Sequence, residues 1–287
     1  MTFGSKVWCL APPELCRTIR GDRYLDFCSN FYGGNLFMYT FEICHLYPEL
    51  LNLYGDKGNI IALKKRCEWR GINVNVHNVS LNEEFNPDVF DIVFIGGGQD
   101  YEQEIIKDDF LKNKGSAIKA AIENNKVFLA ICGGYQLLGK CYRTKDGKEL
   151  EFLGALDIWT IGAQKRMIGN MVLECDFLKA TSSNGKIVGF ENHSGKTYLG
   201  PGVKPLGRVI KGFGNNGEDG YEGAVYKNVY CSYSHGCLLP KNPSLADFLI
   251  ETALKNKYSD FGSLTQIDDS LEMAAHNSVI ARLNNRK

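Results

Sequence analysis

A cysteine closes a short apolar run in Val127-Phe-Leu-Ala-Ile-Cys132-Gly-Gly-Tyr-Gln136. The run is rich in β-formers and too short for an ordinary helix, so it reads as a buried strand, Val127 to Ile131. The residues from Tyr135 to Lys140 can then open a helix. Between the two, Cys132 would occupy a sharp strand-to-helix turn with its sulfur at the strand's C-terminal end. That is a nucleophile elbow built on a thiol. Amide donors and the positive dipole end of the following helix favour thiolate over thiol. The flanking glycines remove bulk where a substrate would approach. The competing reading is a buried structural cysteine, the commoner fate of a free thiol.

A thiol nucleophile needs a base, usually histidine. Five histidines are present. His45 and His77 lie within strand patterns and His276 lies in a polar C-terminal stretch. His235, in Ser-His-Gly-Cys-Leu-Leu-Pro240, follows the strand-like Val229-Tyr-Cys-Ser-Tyr233 and precedes a glycine. His193, in Gly189-Phe-Glu-Asn-His-Ser-Gly195, is also flanked by glycine. Spacing favours His235 only modestly, and both remain open on the residues alone. Gly96-Gly-Gly-Gln-Asp100 is the second glycine turn. Exposed backbone N–H groups there could serve as an oxyanion hole. No Lys-Ser/Thr follows it, so it does not match a Walker A phosphate loop; a tight turn without function is the third reading.

Stepping from these residues to the elements that carry them, the chain alternates strands and helices from Met38 onward. Tyr39 to Leu46 reads as a first strand and Asn59 to Arg70 as a helix. Asn73 to Val79 and Phe90 to Ile95 read as strands, and Ile105 to Asn125 as one or two helices. This alternation predicts an α/β fold with a mostly parallel central sheet flanked by helices. In such sheets ligands sit beyond the C-terminal strand ends, and the strands ending at Ile95 and Ile131 both finish in glycine turns. The second half adds β-strands: Lys165 to Cys175, Val188 to Glu191, Val203 to Gly212, Ala224 to Val225 and Val229 to Tyr233. A polar glycine-rich loop spans Gly212 to Gly220, and Leu245 to Lys257 has helical spacing. Residues 1–37 carry three cysteines, Pro12-Pro13 and no periodicity. They are expected to be an extension, poorly ordered or preceding the natural start at Met38. One domain over 38–260 and a tail or surface helix over 261–287 complete the expected organisation.

The 287 residues are 44% hydrophobic and 23% charged with no net charge, which is ordinary globular composition without the basic runs of a nucleic-acid binder. No apolar run approaches the roughly 18 residues a membrane span needs. The ten cysteines are scattered, without CxxC pairs or metal-ligand spacing. They read as reduced thiols of a cytoplasmic protein, and no metal is expected.

Ile95-Gly-Gly-Gly-Gln-Asp, Leu129-Ala-Ile-Cys-Gly-Gly-Tyr-Gln, Gly189-Phe-Glu-Asn-His and Ser232-Tyr-Ser-His-Gly occur in that order. Together they resemble the class I (triad type) glutamine amidotransferases, in the branch related to cobyric acid synthase. Leu51-Asn-Leu-Tyr-Gly-Asp-Lys-Gly-Asn-Ile60, Lys165-Arg-Met-Ile-Gly-Asn170 and a length without a synthetase domain narrow the likeness. They point to the GatD-type glutaminase subunits of lipid II isoglutaminyl synthases. The resemblance runs from about Met38 to about Tyr258.

It implies that Cys132 is the nucleophile and His235 its base, while His193 belongs to a structural Glu-x-His motif. It also implies that Arg166 binds the α-carboxylate of glutamine, a role suited to a bidentate guanidinium. Gln136 would line the glutamine pocket, and N–H groups of Gly97 or Gly98 and of Gly133 would form the oxyanion hole. No cofactor is implied for this chain. ATP would be used by a MurT-like synthetase partner that amidates the D-glutamate α-carboxylate of lipid II, bringing the pair to the inner membrane face. Many class I members place Glu two residues after the catalytic histidine; here Cys237 stands there and cannot replace a carboxylate. The acid is therefore expected from a partner subunit or from elsewhere in this chain. Other readings are a glutaminase serving a cobyrinate-type synthetase, a cysteine peptidase, for which Arg166 would be superfluous, and a non-catalytic binding subunit of the same fold.

Overall fold

Two short strands, β3 (Ile92–Ile95) and β4 (Val127–Ile131), are buried at every position and form the centre of the molecule. Their continuous apolar sequences suit strands covered on both faces. In this computed structural model, which describes residues 38–144 and 146–285, they belong to a six-stranded sheet. Its other strands are β1 (Thr40–Leu46), β2 (Asn73–Val79), β11 (Ala224–Tyr226) and β12 (Val229–Ser232), in the order β11-β12-β4-β3-β1-β2. Every pairing is parallel except the edge pair β11–β12. The expected extension over residues 1–37 lies outside the described residues.

Helices supply the crossovers. α1 (Lys57–Glu68) joins β1 to β2. α2 (Asp100–Asp108) and α3 (Gly115–Glu123) join β3 to β4, with a π-turn at Asp109–Asn113 between them. The short α4 (Gly133–Leu137) follows β4 directly, two residues earlier than the sequence suggests. α5 (Pro243–Lys257) packs on α1 and over β3 and β4. Beyond it, α6 (Ser270–Asn284) is held by the buried His276, whose Nδ1 lies 2.9 Å from the Lys241 carbonyl oxygen. Arg66 of α1 ties these C-terminal elements together, reaching Asp247 at 2.7 Å and Asp269 at 2.6 Å.

A second sheet is built around two long antiparallel strands, β7 (Ile158–Glu174) and β8 (Lys186–Leu199). β5 (Cys141–Arg143), β6 (Glu149–Glu151), β9 (Gly207–Lys211) and β10 (Tyr221–Glu222) extend it. β7 and β8 are longer than their sequence patterns suggest, for a physical reason visible in β8. Its buried face carries Glu191, His193 and Thr197, so the alternation is polar where a strand signal should be apolar. The chain passes between the sheets after β4, after β10 and again after β12, and the last passage is the decisive one. β12 runs in the first sheet, and two residues later β13 (Ser234–His235) pairs with β8 at Glu191 and Phe190.

Candidate active site

Four neighbouring strands, β12, β4, β3 and β1, end on one side of the parallel sheet. Each is followed by a segment that carries part of the site: His235, Cys132, Gly96–Gly98 and the Tyr47–Asp56 loop.

Cys132 has φ 49° and ψ −102°, a backbone conformation that L-residues rarely adopt. Its N–H donates to Ser232 O at 2.9 Å, fixing the turn to β12, and the residue is 8% exposed. The glycines after it serve the fold rather than substrate access. A Cβ on Gly133 would lie 2.7 Å from Gly98 O, and one on Gly134 would lie 2.7 Å from both the carbonyl oxygen and Cγ2 of Ile95. The elbow and the Gly96–Gly98 turn thus approach at backbone distance.

His235 has no exposed surface. Its Nδ1 lies 3.6 Å from Oδ2 of Asp56, which is equally buried and precedes the first turn of α1. Burial by itself would lower the pKa of the imidazole, but Asp56 and Cys132 beside it outweigh burial and raise it to about 10. The raised pKa favours the protonated imidazole at neutral pH. Gly97 makes the approach possible: a Cβ there would stand 2.5 Å from His235 Cε1. The Gly97 N–H donates to Asp56 Oδ2 at 2.7 Å. Of the two glycines expected to offer an oxyanion donor, Gly97 is thus already engaged, which leaves Gly98 and Gly133. Gly98 N is close to Gly133, 2.8 Å from where a Cβ on that residue would be.

Arg166 belongs to the same cluster. It sits where the β7–β8 register shifts between Gly162 and Met167, a bulge that turns it out to solvent. Its Nε donates to Asn192 Oδ1 at 3.0 Å and its Nη2 to Asn192 O at 3.1 Å. The Asn192 amide in turn donates to the Tyr54 hydroxyl, and the Tyr54 ring meets His235 edge-on at 4.9 Å. A continuous chain of contacts therefore links the guanidinium to the imidazole.

Gln136 is buried beneath the elbow. Gln103 Nε2 donates to its oxygen at 3.1 Å, and its Nε2 donates to the Tyr233 hydroxyl at 3.0 Å, so both ends of the amide are occupied by protein groups. The chain continues from Tyr233 to Thr197 and Thr160. His193 lies behind this network, stacked on Tyr233 at 3.7 Å with Nδ1 2.8 Å from Gly195 O, consistent with a structural Glu-x-His motif. Cys237 also faces the site from the rear. Its thiol donates to Gly55 O at 3.0 Å, against the loop that carries Asp56.

Sequence reasoning missed Asp56 and Tyr54. Both lie inside the Leu51–Ile60 stretch, but no spacing rule connects that loop to a histidine so far along the chain. Among the described residues no group of three or more His, Cys, Asp or Glu could hold a metal ion. The seven cysteines among them are all free.

Residues 42–243 match the CobB/CobQ-like glutamine amidotransferase domain. The chain is 45% identical over 250 residues to the "lipid II isoglutaminyl synthase (glutamine-hydrolyzing) subunit GatD" of Staphylococcus aureus, covering 87% of this chain and 99% of that protein. The protein of the same name from Streptococcus pneumoniae is 45% identical over 239 residues, 83% of this chain and 89% of that one. A probable cobyric acid synthase of Methanocaldococcus jannaschii is 30% identical over 160 residues, covering 53% of this chain and 31% of the larger protein.

Proposed function

The chain belongs to the CobB/CobQ-like glutamine amidotransferase family, and from that premise we propose that it is the glutamine-hydrolysing subunit of a lipid II isoglutaminyl synthase. The observation that supports the reading is that Cys132 and His235 follow the paired strands β4 and β12, with Arg166 linked to His235 through Asn192 and Tyr54, in a chain that matches such subunits over 87% and 83% of its length.

Glutamine enters with its α-carboxylate on Arg166 and its carboxamide over the elbow. The Cys132 thiolate adds to the carboxamide carbon, and the N–H groups of Gly98 and Gly133 receive the developing oxyanion. The C–N bond breaks as the His235 imidazolium gives its proton to the leaving nitrogen, releasing ammonia and a thioester. The now neutral imidazole takes a proton from water as the hydroxyl adds to the thioester. Collapse of that adduct expels the thiolate, frees glutamate and restores the starting ion pair.

Ammonia then passes to a MurT-like Mur-ligase partner. That subunit uses ATP to activate the D-glutamate α-carboxylate of lipid II, and amidation gives D-isoglutamine. Lipid II held by the partner would bring the pair to the inner membrane face. No helix among the described residues is long and apolar enough to cross a membrane.

The test is ammonia release from glutamine by the complex. Cys132→Ala should reduce it by on the order of 10³-fold or more while the partner still co-purifies. Undiminished release in that variant would overturn the reading.

A further inference from the structure

We propose that Tyr54 is a positioning residue that sets substrate specificity: latched to Asn192 and packed on His235, it fixes the span between the carboxylate clamp and the reacting centre. It thereby selects glutamine over the shorter asparagine. The inference rests on the glutaminase reading and names what measures the substrate's length.

Glutamine must be engaged at two points whose supports belong to different sheets. Cys132 and His235 follow β4 and β12 of the parallel sheet, whereas Arg166 lies on β7 of the second one. The β7–β8 register breaks between Gly162 and Met167, so the ladder by itself does not fix Arg166. Asn192 does so, accepting from Arg166 Nε at 3.0 Å through Oδ1 and from Nη2 at 3.1 Å through its carbonyl oxygen. The other end of the Asn192 carboxamide donates to the Tyr54 hydroxyl. With that acceptor in place, one orientation of the amide serves both neighbours. A flip would set the Asn192 donor against the Arg166 Nε–H.

Tyr54 is anchored at the far end too. Its ring meets His235 edge-on with 4.9 Å between centroids. Its backbone takes φ 56° and ψ 25°, in the left-handed region. A bulky residue keeps such a conformation only where its surroundings impose it, and ligand clamps are a common place for it. An aromatic side chain has two torsions, so the link from base to clamp is stiff. Asparagine has one methylene fewer between its α-carbon and its carboxamide. With the clamp fixed, its amide carbon stops short of the Cys132 sulfur, and a misplacement of about 1 Å can cost about 10²-fold in rate.

The competing reading is that Tyr54 merely covers the imidazole, which has no exposed surface while Tyr54 is 46% exposed. That role needs the ring alone. Tyr54→Phe keeps the ring and removes the latch, so it separates the two.

The experiment is steady-state ammonia release from L-glutamine and from L-asparagine by the complex carrying wild type, Tyr54→Phe, Arg166→Ala or both substitutions. Tyr54→Phe should raise KM for glutamine by about three- to tenfold, the worth of one neutral hydrogen bond, with kcat within about twofold. The preference for glutamine over asparagine in kcat/KM should fall by a similar factor. In the Arg166→Ala background the same substitution should change KM by less than about twofold, because Tyr54 acts through the clamp. An unchanged KM and preference in Tyr54→Phe would overturn the inference and leave Tyr54 as a cover. An equal rise in KM with and without Arg166 would overturn it too. A wild type that released no ammonia from glutamine would overturn the glutaminase reading and this inference with it, whereas the first two outcomes leave that reading standing.

Discussion

Arg166, the proposed carboxylate clamp, is held in place by its own chain. Its bonds to both the side-chain and the backbone oxygen of Asn192 fix the plane of the guanidinium and leave Nη1 for a carboxylate. That pre-orientation lowers the ordering cost of binding. Hydrogen bonds to charged groups are worth about 1.5–3 kcal/mol. Arg166→Ala should therefore raise KM for glutamine by about 10- to 100-fold, with kcat much less affected, in steady-state ammonia-release kinetics. Arg166→Lys should fall between, since an ammonium cannot reproduce the planar fork. A change confined to kcat would remove Arg166 from the binding role.

At the scale of elements, the site depends on loops pressed together where side chains have been omitted. The Asp56 loop meets the β3 turn through Leu53 N–H donating to Gly97 O at 3.0 Å, and a Cβ on Gly96 would overlap Leu51 O. α1 meets the turn after β13 at Gly58, against Cys237. Overpacking a close contact of this kind costs about 1–3 kcal/mol, so Gly58→Ala should destabilise the protein by that amount in urea unfolding. Cys237→Gly should recover most of the loss in the double variant. It removes the opposing sulfur, and glycine suits the φ of 49° that Cys237 adopts. Additive losses would show that the two elements do not meet as described. The β8 strand teaches the converse lesson. Its inner face is polar because it packs the Glu191–His193–Tyr233 layer behind the site, so its function hides its secondary structure from pattern reading.

For the molecule as a whole, buried ionisable groups set how stability depends on pH. His235 in the folded state keeps its proton to about 10, above its ordinary 6.5. Its contribution is complete below pH 6.5 and is lost as pH rises toward 10. Burial pushes the Glu222 carboxyl up to about 8; the Tyr233 N–H opposes this and Glu191 adds to it. The folded state therefore retains that proton too, and stability falls as pH rises from 4.5 to 8. Between pH 6.5 and 8 the two act in the same direction. Urea titrations at pH 6.5 and 8 should show the unfolding free energy falling. Glu222→Gln, which keeps an acceptor for Tyr233 N–H, should flatten the decline. A profile of the variant that stays parallel to wild type would refute the assignment to Glu222.

Sequence alone determined the parts of this protein that are local. The strand Val127–Ile131, the cysteine ending it and the parallel pairing of the first half follow from short patterns, and motif order is what proposes Cys132, His235 and Arg166 as site residues. Chain periodicity and turn chemistry act over a few residues, and they leave their mark there. Tertiary structure alone decided how those parts are joined. It placed Asp56 beside His235, engaged the Gly97 amide, closed both ends of Gln136 and showed that Gly133 and Gly134 make room for a neighbouring turn. Each of these is a contact between segments far apart in the chain. It depends on four adjacent strands ending together, a property of the sheet that no single stretch of sequence contains.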